Sequence, residues 1–171
     1  MKRAIIIHAW DSAPDQHWYL EEKKLLVEMG YKVDLPTMPG GRWPKLDEWL
    51  KVIEGLKPDE NTIMIGHSLG VAAIFRYLEK SGQKVGKVFS IAGFARDLGI
   101  EETRNFVDKP FDWEKIRRLA SEFIVINEKD DPYVKVEIGK EIADATGGEF
   151  ILVEGNIHFD KMDLDLMNLR L

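Results

Sequence analysis

Short apolar runs alternate with amphipathic segments along the whole chain. The runs are rich in β-branched residues, which favours buried strands, and the segments between them repeat apolar residues at helical spacing. Strands are predicted at residues 3–8, 32–35, 62–65, 87–91, 122–127 and 150–153, and helices at residues 15–29, 44–56, 69–80, 113–119, 134–145 and 160–171. This alternation predicts the α/β class, as a three-layer α/β/α sandwich around a mostly parallel sheet of about six strands.

One stretch, residues 97–112, lacks this periodicity. It is polar and irregular, and the pattern leaves open whether it covers a functional site. No internal repeat, linker or shift in composition divides the chain, and 171 residues is about the length of one domain. We therefore expect a single domain over residues 1–171.

The segment between the third predicted strand and the next helix has the pattern Gly-x-Ser-x-Gly, formed by Gly66, Ser68 and Gly70. Glycine is expected on both sides of the serine because a sharp reversal of the backbone leaves no room for a Cβ atom. Such a turn lifts the serine hydroxyl above the strand ends, at the N-terminus of a helix. We predict that Ser68 is a nucleophile, and the alternative is a serine that only caps the helix.

A serine nucleophile needs an imidazole that accepts its proton. Of the four histidines, His158 lies in a loop after the last strand, at the edge where the carboxyl ends of parallel strands bring functional groups together. His8 ends the first strand and is the second candidate. His67 should point away from its neighbour Ser68, and His17 falls within the first predicted helix. We predict that His158 is the base, and the alternative is a solvated loop histidine.

Two aspartates, Asp130 and Asp131, follow the penultimate strand. Either would complete the chain order nucleophile, acid, base, with each member on a separate strand-end loop. Pro132 restricts Asp131 to extended backbone geometry, which suits a side chain that reaches across the sheet edge. We choose Asp131 as the acid that orients His158. Asp130 is the alternative, and the Asp-Pro pair could also serve only as a turn.

An oxyanion hole requires two backbone N–H donors. We expect one from Leu69, immediately after the nucleophile, and the other from Trp10, in the loop after the first strand. Trp10, Phe94 and Tyr133 lie near predicted strand ends and are candidates for the lining of an apolar acyl pocket. Aromatic residues also fill cores, which is the alternative for all three.

The composition of the chain limits the classes of binding partner that we expect. The net charge of −6 argues against a nucleic-acid surface, and no cysteine is present for disulfides, thiolate metal sites or a cysteine nucleophile. No run approaches the roughly 18 apolar residues of a membrane span. We expect a cytoplasmic monomer or small homo-oligomer that uses neither a metal nor an organic cofactor. Asp160, Asp163 and Asp165 are expected to form a solvated helix face and not a metal site.

Four motifs stand out at residues 66–70 (Gly-His-Ser-Leu-Gly), 110–116 (Pro-Phe-Asp-Trp-Glu-Lys-Ile), 130–134 (Asp-Asp-Pro-Tyr-Val) and 158–159 (His-Phe). Over nearly its whole length the chain resembles the α/β-hydrolase superfamily and, more narrowly, the small serine hydrolases related to retinoblastoma-binding protein 9. The resemblance implies a compact hydrolase fold with no large lid domain. It also implies a triad of Ser68, Asp131 and His158, which favours Asp131 over Asp130, and the hydrolysis of small carboxylic esters.

The chain departs from that family in two loops. Ala9 stands where many relatives have glycine, and Ile157 precedes His158 where glycine is usual. These positions affect the loop of the oxyanion hole and the loop of the base. Two alternative functions remain. One is a protein-binding module on a hydrolase scaffold with a vestigial triad, and the other is a thioesterase or amidase with the same triad.

Overall fold

The computed structural model describes residues 1–154 and 157–171, and its centre is a six-stranded sheet in which all neighbouring strands are parallel. The strand order is β2-β1-β3-β4-β5-β6. The strands are β1 (Arg3–Ile7), β2 (Lys32–Asp34), β3 (Thr62–His67), β4 (Val85–Ile91), β5 (Ala120–Glu128) and β6 (Glu149–Val153). The predicted α/β class and number of strands are confirmed.

Helices cover both faces of this sheet. One face carries α1 (Tyr19–Glu28) and α6 (Asp165–Asn168), and the other carries α2 (Leu46–Leu56), α3 (Leu69–Ser81), α4 (Trp113–Ile116) and α5 (Val136–Thr146). Successive side chains of a strand point to opposite faces. In β1, Ala4 and Ile6 therefore join the apolar cluster beneath α1, whereas Ile5 and Ile7 join the cluster beneath α2 and α3. The three-layer arrangement is confirmed.

The first helix begins later than predicted. Residues 15–18 form turns, and the N–H of Gln16 donates to the carbonyl of Ala13 at 3.1 Å. His17 has a φ of 51°, in the left-handed region, which is incompatible with a right-handed helix at that position. The helix therefore starts at Tyr19. His17, which the periodicity places inside the helix, lies in the turn before it.

Two other segments differ from their predictions. The terminal helix predicted over residues 160–171 covers only Asp165–Asn168. Asp163 Oδ1 accepts the N–H of Asp165 at 3.1 Å, and such a side-chain turn competes with helix formation. Within the irregular stretch 97–112, residues Glu101–Phe106 form a 3₁₀ helix. The loop predicted over residues 155–158 lies in part, at Gly155 and Asn156, outside the described residues.

The all-parallel order brings the carboxyl ends of all six strands to one edge of the sheet. β3 lies between β1 and β4, so the turn that follows β3 occupies the middle of this edge. β4, β5 and β6 follow in that order on one side of it, and β1 and β2 lie on the other. None of the helices in residues 1–154 and 157–171 is long and apolar enough to cross a membrane.

A buried carboxyl group lies beneath α1, away from this edge. Glu22 is fully buried one turn after Trp18 and one turn before Leu26, both of which belong to the apolar cluster. Neither carboxyl oxygen has a hydrogen-bond partner among the described residues. Burial raises the pKa of Glu22 to about 7, because the charged form loses its hydration.

This burial predicts an unusual dependence of stability on pH. The folded protein keeps a proton on Glu22 up to about pH 7, whereas the unfolded chain releases it near pH 4.5, so this group lowers stability as pH rises between these values. Glu22→Gln removes the charge and keeps the size. We expect the variant to be more stable than wild type at pH 8 by roughly 3 kcal/mol, and the difference to vanish near pH 4.

Urea unfolding of both proteins at the two pH values measures this difference. Glu21→Gln is the matched control, because Glu21 is exposed on the same helix. It should match wild type at both pH values. An effect of Glu22→Gln that is the same at both pH values would contradict the prediction.

Candidate active site

The turn between β3 and α3 holds Ser68 in a strained backbone conformation, with φ of 53° and ψ of −115°. The hydrogen bond from the Ser68 N–H to the carbonyl of Ile91, at 2.9 Å, ties the turn to the end of β4. Ser68 occupies the N-cap position of α3, yet its side chain makes no capping hydrogen bond. The hydroxyl is therefore available for another partner.

Both glycines of the turn are required by close packing. A Cβ atom on Gly66 would lie 2.8 Å from the backbone nitrogen of Val71. A Cβ atom on Gly70 would overlap the carbonyl oxygens of Ile7 and His8, at the end of β1. The turn thus packs directly against the loop that follows β1, as the Gly-x-Ser-x-Gly pattern predicts.

Ser68, His158 and Asp131 form an unbroken chain of hydrogen bonds. His158 Nδ1 donates to Asp131 Oδ2 at 2.7 Å, which leaves Nε2 as an acceptor for the Ser68 hydroxyl at 2.9 Å. Asp131 is 1% exposed and Ser68 is 7% exposed. The structure therefore brings together the three side chains that the sequence singles out.

Asp131 is fixed through its second oxygen. Its Oδ1 accepts the N–H groups of Tyr133 at 2.8 Å and Val134 at 2.9 Å, which leaves Oδ2 for His158. Burial by itself would raise the pKa of Asp131, but the hydrogen bond and charge of His158 and the two backbone donors outweigh it. The net effect lowers the pKa, so Asp131 is ionised at neutral pH.

The alternative acid and base do not take part in this chain. Asp130 is exposed and hydrogen-bonds to none of the described residues. His8 is buried, and backbone groups occupy both of its ring nitrogens: Nδ1 donates to the Ala9 carbonyl at 2.7 Å, and Nε2 accepts the Met38 N–H at 2.9 Å. Burial also lowers the pKa of His8, so it is neutral.

His67 connects the loop that carries Ala9 to the loop that carries His158. Its Nε2 donates to the carbonyl of His158 at 3.0 Å, so its Nδ1 accepts the hydroxyl of Tyr19 at 2.7 Å. The Tyr19 oxygen in turn accepts the N–H of Ala9 at 3.0 Å. Burial, followed by the nearby His158 and His17, lowers the pKa of His67 well below its ordinary value. A neutral imidazole thus joins the β1 loop to the His158 loop.

A cavity of about 250 Å³ opens beside Ser68 and His158. It contains all three of the predicted pocket residues, Trp10, Phe94 and Tyr133. The Tyr133 ring meets the His158 ring edge-on with centroids 5.1 Å apart, and Phe94 is buried. The stretch 97–112 contributes further lining residues, namely Leu98, Ile100 and Thr103. This stretch therefore covers part of the site, which the sequence leaves open.

The two predicted oxyanion donors have no other acceptor within residues 1–154 and 157–171. Neither the Leu69 N–H nor the Trp10 N–H donates to any of the described residues. By contrast, the neighbouring Ala9 N–H is taken by Tyr19. Trp10 and Ser68 both line the cavity.

Within residues 1–154 and 157–171, no three His, Asp or Glu side chains are arranged so that they could hold a metal ion. Asp160 instead contacts His17, with Oδ1 and Nδ1 3.1 Å apart. The acidic residues near the C-terminus therefore do not converge on a metal site within residues 1–154 and 157–171.

One of the two residues that hydrogen-bond to the His158 backbone, Glu128, was missed by the sequence analysis. The His67 imidazole holds the His158 carbonyl, and the carboxylate of Glu128 accepts the His158 N–H at 2.7 Å. The one available signal for Glu128 was a charged residue directly after the apolar run of β5. That signal does not distinguish a buried carboxylate from a solvated one.

Comparisons with known proteins find hydrolases among the chains similar to this one. YdeN of Bacillus subtilis, which is named as a hydrolase, is 31% identical over 163 residues, covering 92% of this chain and 86% of the relative. The serine hydrolase RBBP9 of Rattus norvegicus is 29% identical over 150 residues, covering 85% and 80%.

Solved structures of other proteins match the fold of this chain. The crystal structure of the ydeN gene product matches with a TM-score of 0.92 at 29% identity, covering 99% of this chain and 97% of that one. Est1E from Butyrivibrio proteoclasticus matches with a TM-score of 0.78 at 14% identity, covering 99% and 86%, which shows the α/β-hydrolase fold alone. A family model described as serine hydrolase matches residues 4–163, a range that includes Ser68, Asp131 and His158. This chain therefore belongs to the serine hydrolase family.

Proposed function

We propose that this serine hydrolase cleaves small carboxylic esters through an acyl-enzyme formed on Ser68. The observation that carries the proposal is the unbroken chain of hydrogen bonds from Asp131 through His158 to the Ser68 hydroxyl. A helix-capping serine would direct its hydroxyl to its own helix, and Ser68 makes no such bond.

In the first half-reaction, Ser68 Oγ attacks the carbonyl carbon of the ester while His158 Nε2 accepts the hydroxyl proton. The carbonyl oxygen becomes an oxyanion. As the tetrahedral intermediate collapses, the bond to the alcohol oxygen breaks and His158 gives its proton to that oxygen. Asp131 stabilises the imidazolium that exists between these two transfers, since it is ionised and already hydrogen-bonded to Nδ1.

The oxyanion is held by the N–H groups of Leu69 and Trp10. The Leu69 N–H is the first of α3, where the helix dipole adds partial positive charge. The proposal is supported by the absence of any other acceptor for either N–H among the described residues. Donors that are already in place cost no reorganisation when charge develops on the substrate oxygen.

In the second half-reaction, water attacks the acyl carbon and His158 Nε2 accepts a proton from it. The bond between the acyl carbon and Ser68 Oγ then breaks, and His158 returns the proton to the serine. The product is a carboxylic acid, and the enzyme returns to its starting state. Neither half-reaction requires a metal ion or an organic cofactor.

The size and lining of the cavity favour a short acyl group. Its volume of about 250 Å³ is smaller than that of typical pockets for drug-sized ligands, which start at about 300 Å³. Phe94, Leu98 and Ile100 give it an apolar wall. Short aliphatic acyl chains match both properties.

The roles of Ser68 and Asp131 predict which substitutions abolish activity and which do not. Ser68→Ala and Asp131→Asn should each lower kcat for p-nitrophenyl acetate by about 10⁴-fold, because the first lacks the nucleophile and the second leaves the imidazolium unstabilised. Asp130→Asn is the matched control and should match wild type, because Asp130 is exposed and lies outside the hydrogen-bonded chain. The rate of p-nitrophenolate release gives kcat for wild type and the three variants.

Retained esterase activity in Ser68→Ala would contradict the proposal. If the wild-type protein cleaves no ester, labelling with a fluorophosphonate probe distinguishes the two alternative functions. Labelling that disappears in Ser68→Ala would indicate a live nucleophile with another substrate, such as a thioester or an amide. No labelling of the folded protein would favour a protein-binding module with a vestigial triad.

The wall of the cavity predicts a change in acyl preference. Ile100→Ala removes three carbons from the lining, so we expect kcat/KM for p-nitrophenyl hexanoate, relative to the acetate, to rise about 10-fold. Val27→Ala is the control, since Val27 is exposed on α1 and does not line the cavity. Equal ratios for Ile100→Ala and wild type would show that the acyl chain does not bind against this wall.

A further inference from the structure

The backbone that carries His158 adopts conformations that ordinary residues avoid. Ile157, His158 and Phe159 have φ values of 52°, 60° and 54°, and none of the three is glycine. Left-handed geometry is least favourable for a β-branched residue such as Ile157. Such a segment persists only where its surroundings determine its conformation, so other groups must hold these three residues.

The carboxylate of Glu128 is the first of these groups. Glu128 is the last residue of β5 and is fully buried. Its Oε2 accepts the His158 N–H at 2.7 Å and its Oε1 accepts the Phe159 N–H at 3.0 Å. Successive N–H groups of a turn form a concave site for an anion, and here a side chain of the protein is that anion.

Two further contacts hold the same segment. The His158 carbonyl accepts Nε2–H of His67 at 3.0 Å, so both polar backbone groups of His158 are bound to buried side chains. The ring of Phe159 is 2% exposed and belongs to the apolar cluster beneath α1. The imidazole of His158 therefore starts from a backbone that has little freedom to turn.

We infer that Glu128 is a positioning residue, whose buried carboxylate holds the His158 backbone in the left-handed conformation that lets the imidazole bridge Asp131 and Ser68. This inference rests on the proposed function of Ser68, Asp131 and His158. The hydrogen bonds of Glu128 stabilise the left-handed conformation of His158 and Phe159.

Substitution of Glu128 by glutamine distinguishes a role in positioning His158 from a role in filling buried space. Glu128→Gln keeps the shape of the side chain, but only one of its two polar atoms accepts a hydrogen bond. Its amide group faces a backbone N–H, so one of the two bonds is replaced by a contact between donors. Glu128→Asp keeps two acceptors on a side chain that is shorter by one methylene group. Glu122→Gln is the matched control, because Glu122 is an exposed residue near the other end of the same strand.

The first measurement is amide hydrogen exchange in the wild-type protein, which needs no variant to fold. The N–H groups of His158 and Phe159 should be strongly protected although they lie in a turn. In Glu128→Gln this protection should fall, while the amides of β3, β4 and β5 remain protected. Exchange of both amides at the rate of an open loop in wild type would overturn the inference.

The second measurement links the carboxylate to the imidazole. In wild type, the Nδ1 proton of His158, bound to Asp131, should give a downfield proton resonance. In Glu128→Gln that resonance should be lost or broadened, and kcat for p-nitrophenyl acetate should fall roughly 100-fold with KM little changed, because a misplaced base slows chemistry more than binding. Glu128→Asp should recover part of kcat, and Glu122→Gln should match wild type in every readout.

A resonance and a kcat that are unchanged in folded Glu128→Gln would overturn the inference and leave the proposed function intact. So would a uniform loss of exchange protection across the sheet, since it would assign Glu128 a general structural role. If wild type cleaves no ester, the proposed function fails, yet the exchange and resonance data still decide whether Glu128 holds His158.

Discussion

The hydrogen bond between Ser68 and His158 depends on strained backbone at both of its ends. Ser68 has a positive φ in the turn after β3, and His158 lies in the middle of three left-handed residues. Each conformation costs free energy, of the order of 1–3 kcal/mol per residue, that local sequence does not recover. The surrounding packing and hydrogen bonds provide that stabilisation. At Ser68 the space is provided by Gly66 and Gly70, and at His158 the backbone groups bind to Glu128 and His67.

The sheet makes this arrangement possible because all its strands end at the same edge. Through the Tyr19 hydroxyl and the His67 imidazole, the N–H of Ala9 is connected to the carbonyl of His158. The loop after β1 and the loop after β6 are therefore one hydrogen-bonded unit. Ala9 lies at one end of this unit and His158 lies at the other. Their loops retain the geometry of the site because side chains far away in sequence hold them.

The sequence predicts the elements whose signals are local. Periodicity locates the six strands and most of the helices, and the two glycines around Ser68 identify the turn. The chain order of serine, aspartate and histidine selects the three side chains that meet. Contacts between distant residues escape such reasoning. Because His17 has a left-handed φ, α1 cannot begin before Tyr19. Glu128 is buried because the chain returns to it after β6. Neither leaves a local pattern, and the coverage of the cavity by residues 97–112 is equally a tertiary effect.

The covalent intermediate on Ser68 is the central claim about the chemistry. Its most direct test is rapid mixing of the protein with p-nitrophenyl acetate, followed by an acid quench, digestion and mass spectrometry of the peptides. We predict that the peptide containing Ser68 gains one acetyl group during turnover and loses it when the ester is exhausted. An unmodified Ser68 peptide during steady turnover, together with acetylation of another residue, would contradict an acyl-enzyme on Ser68.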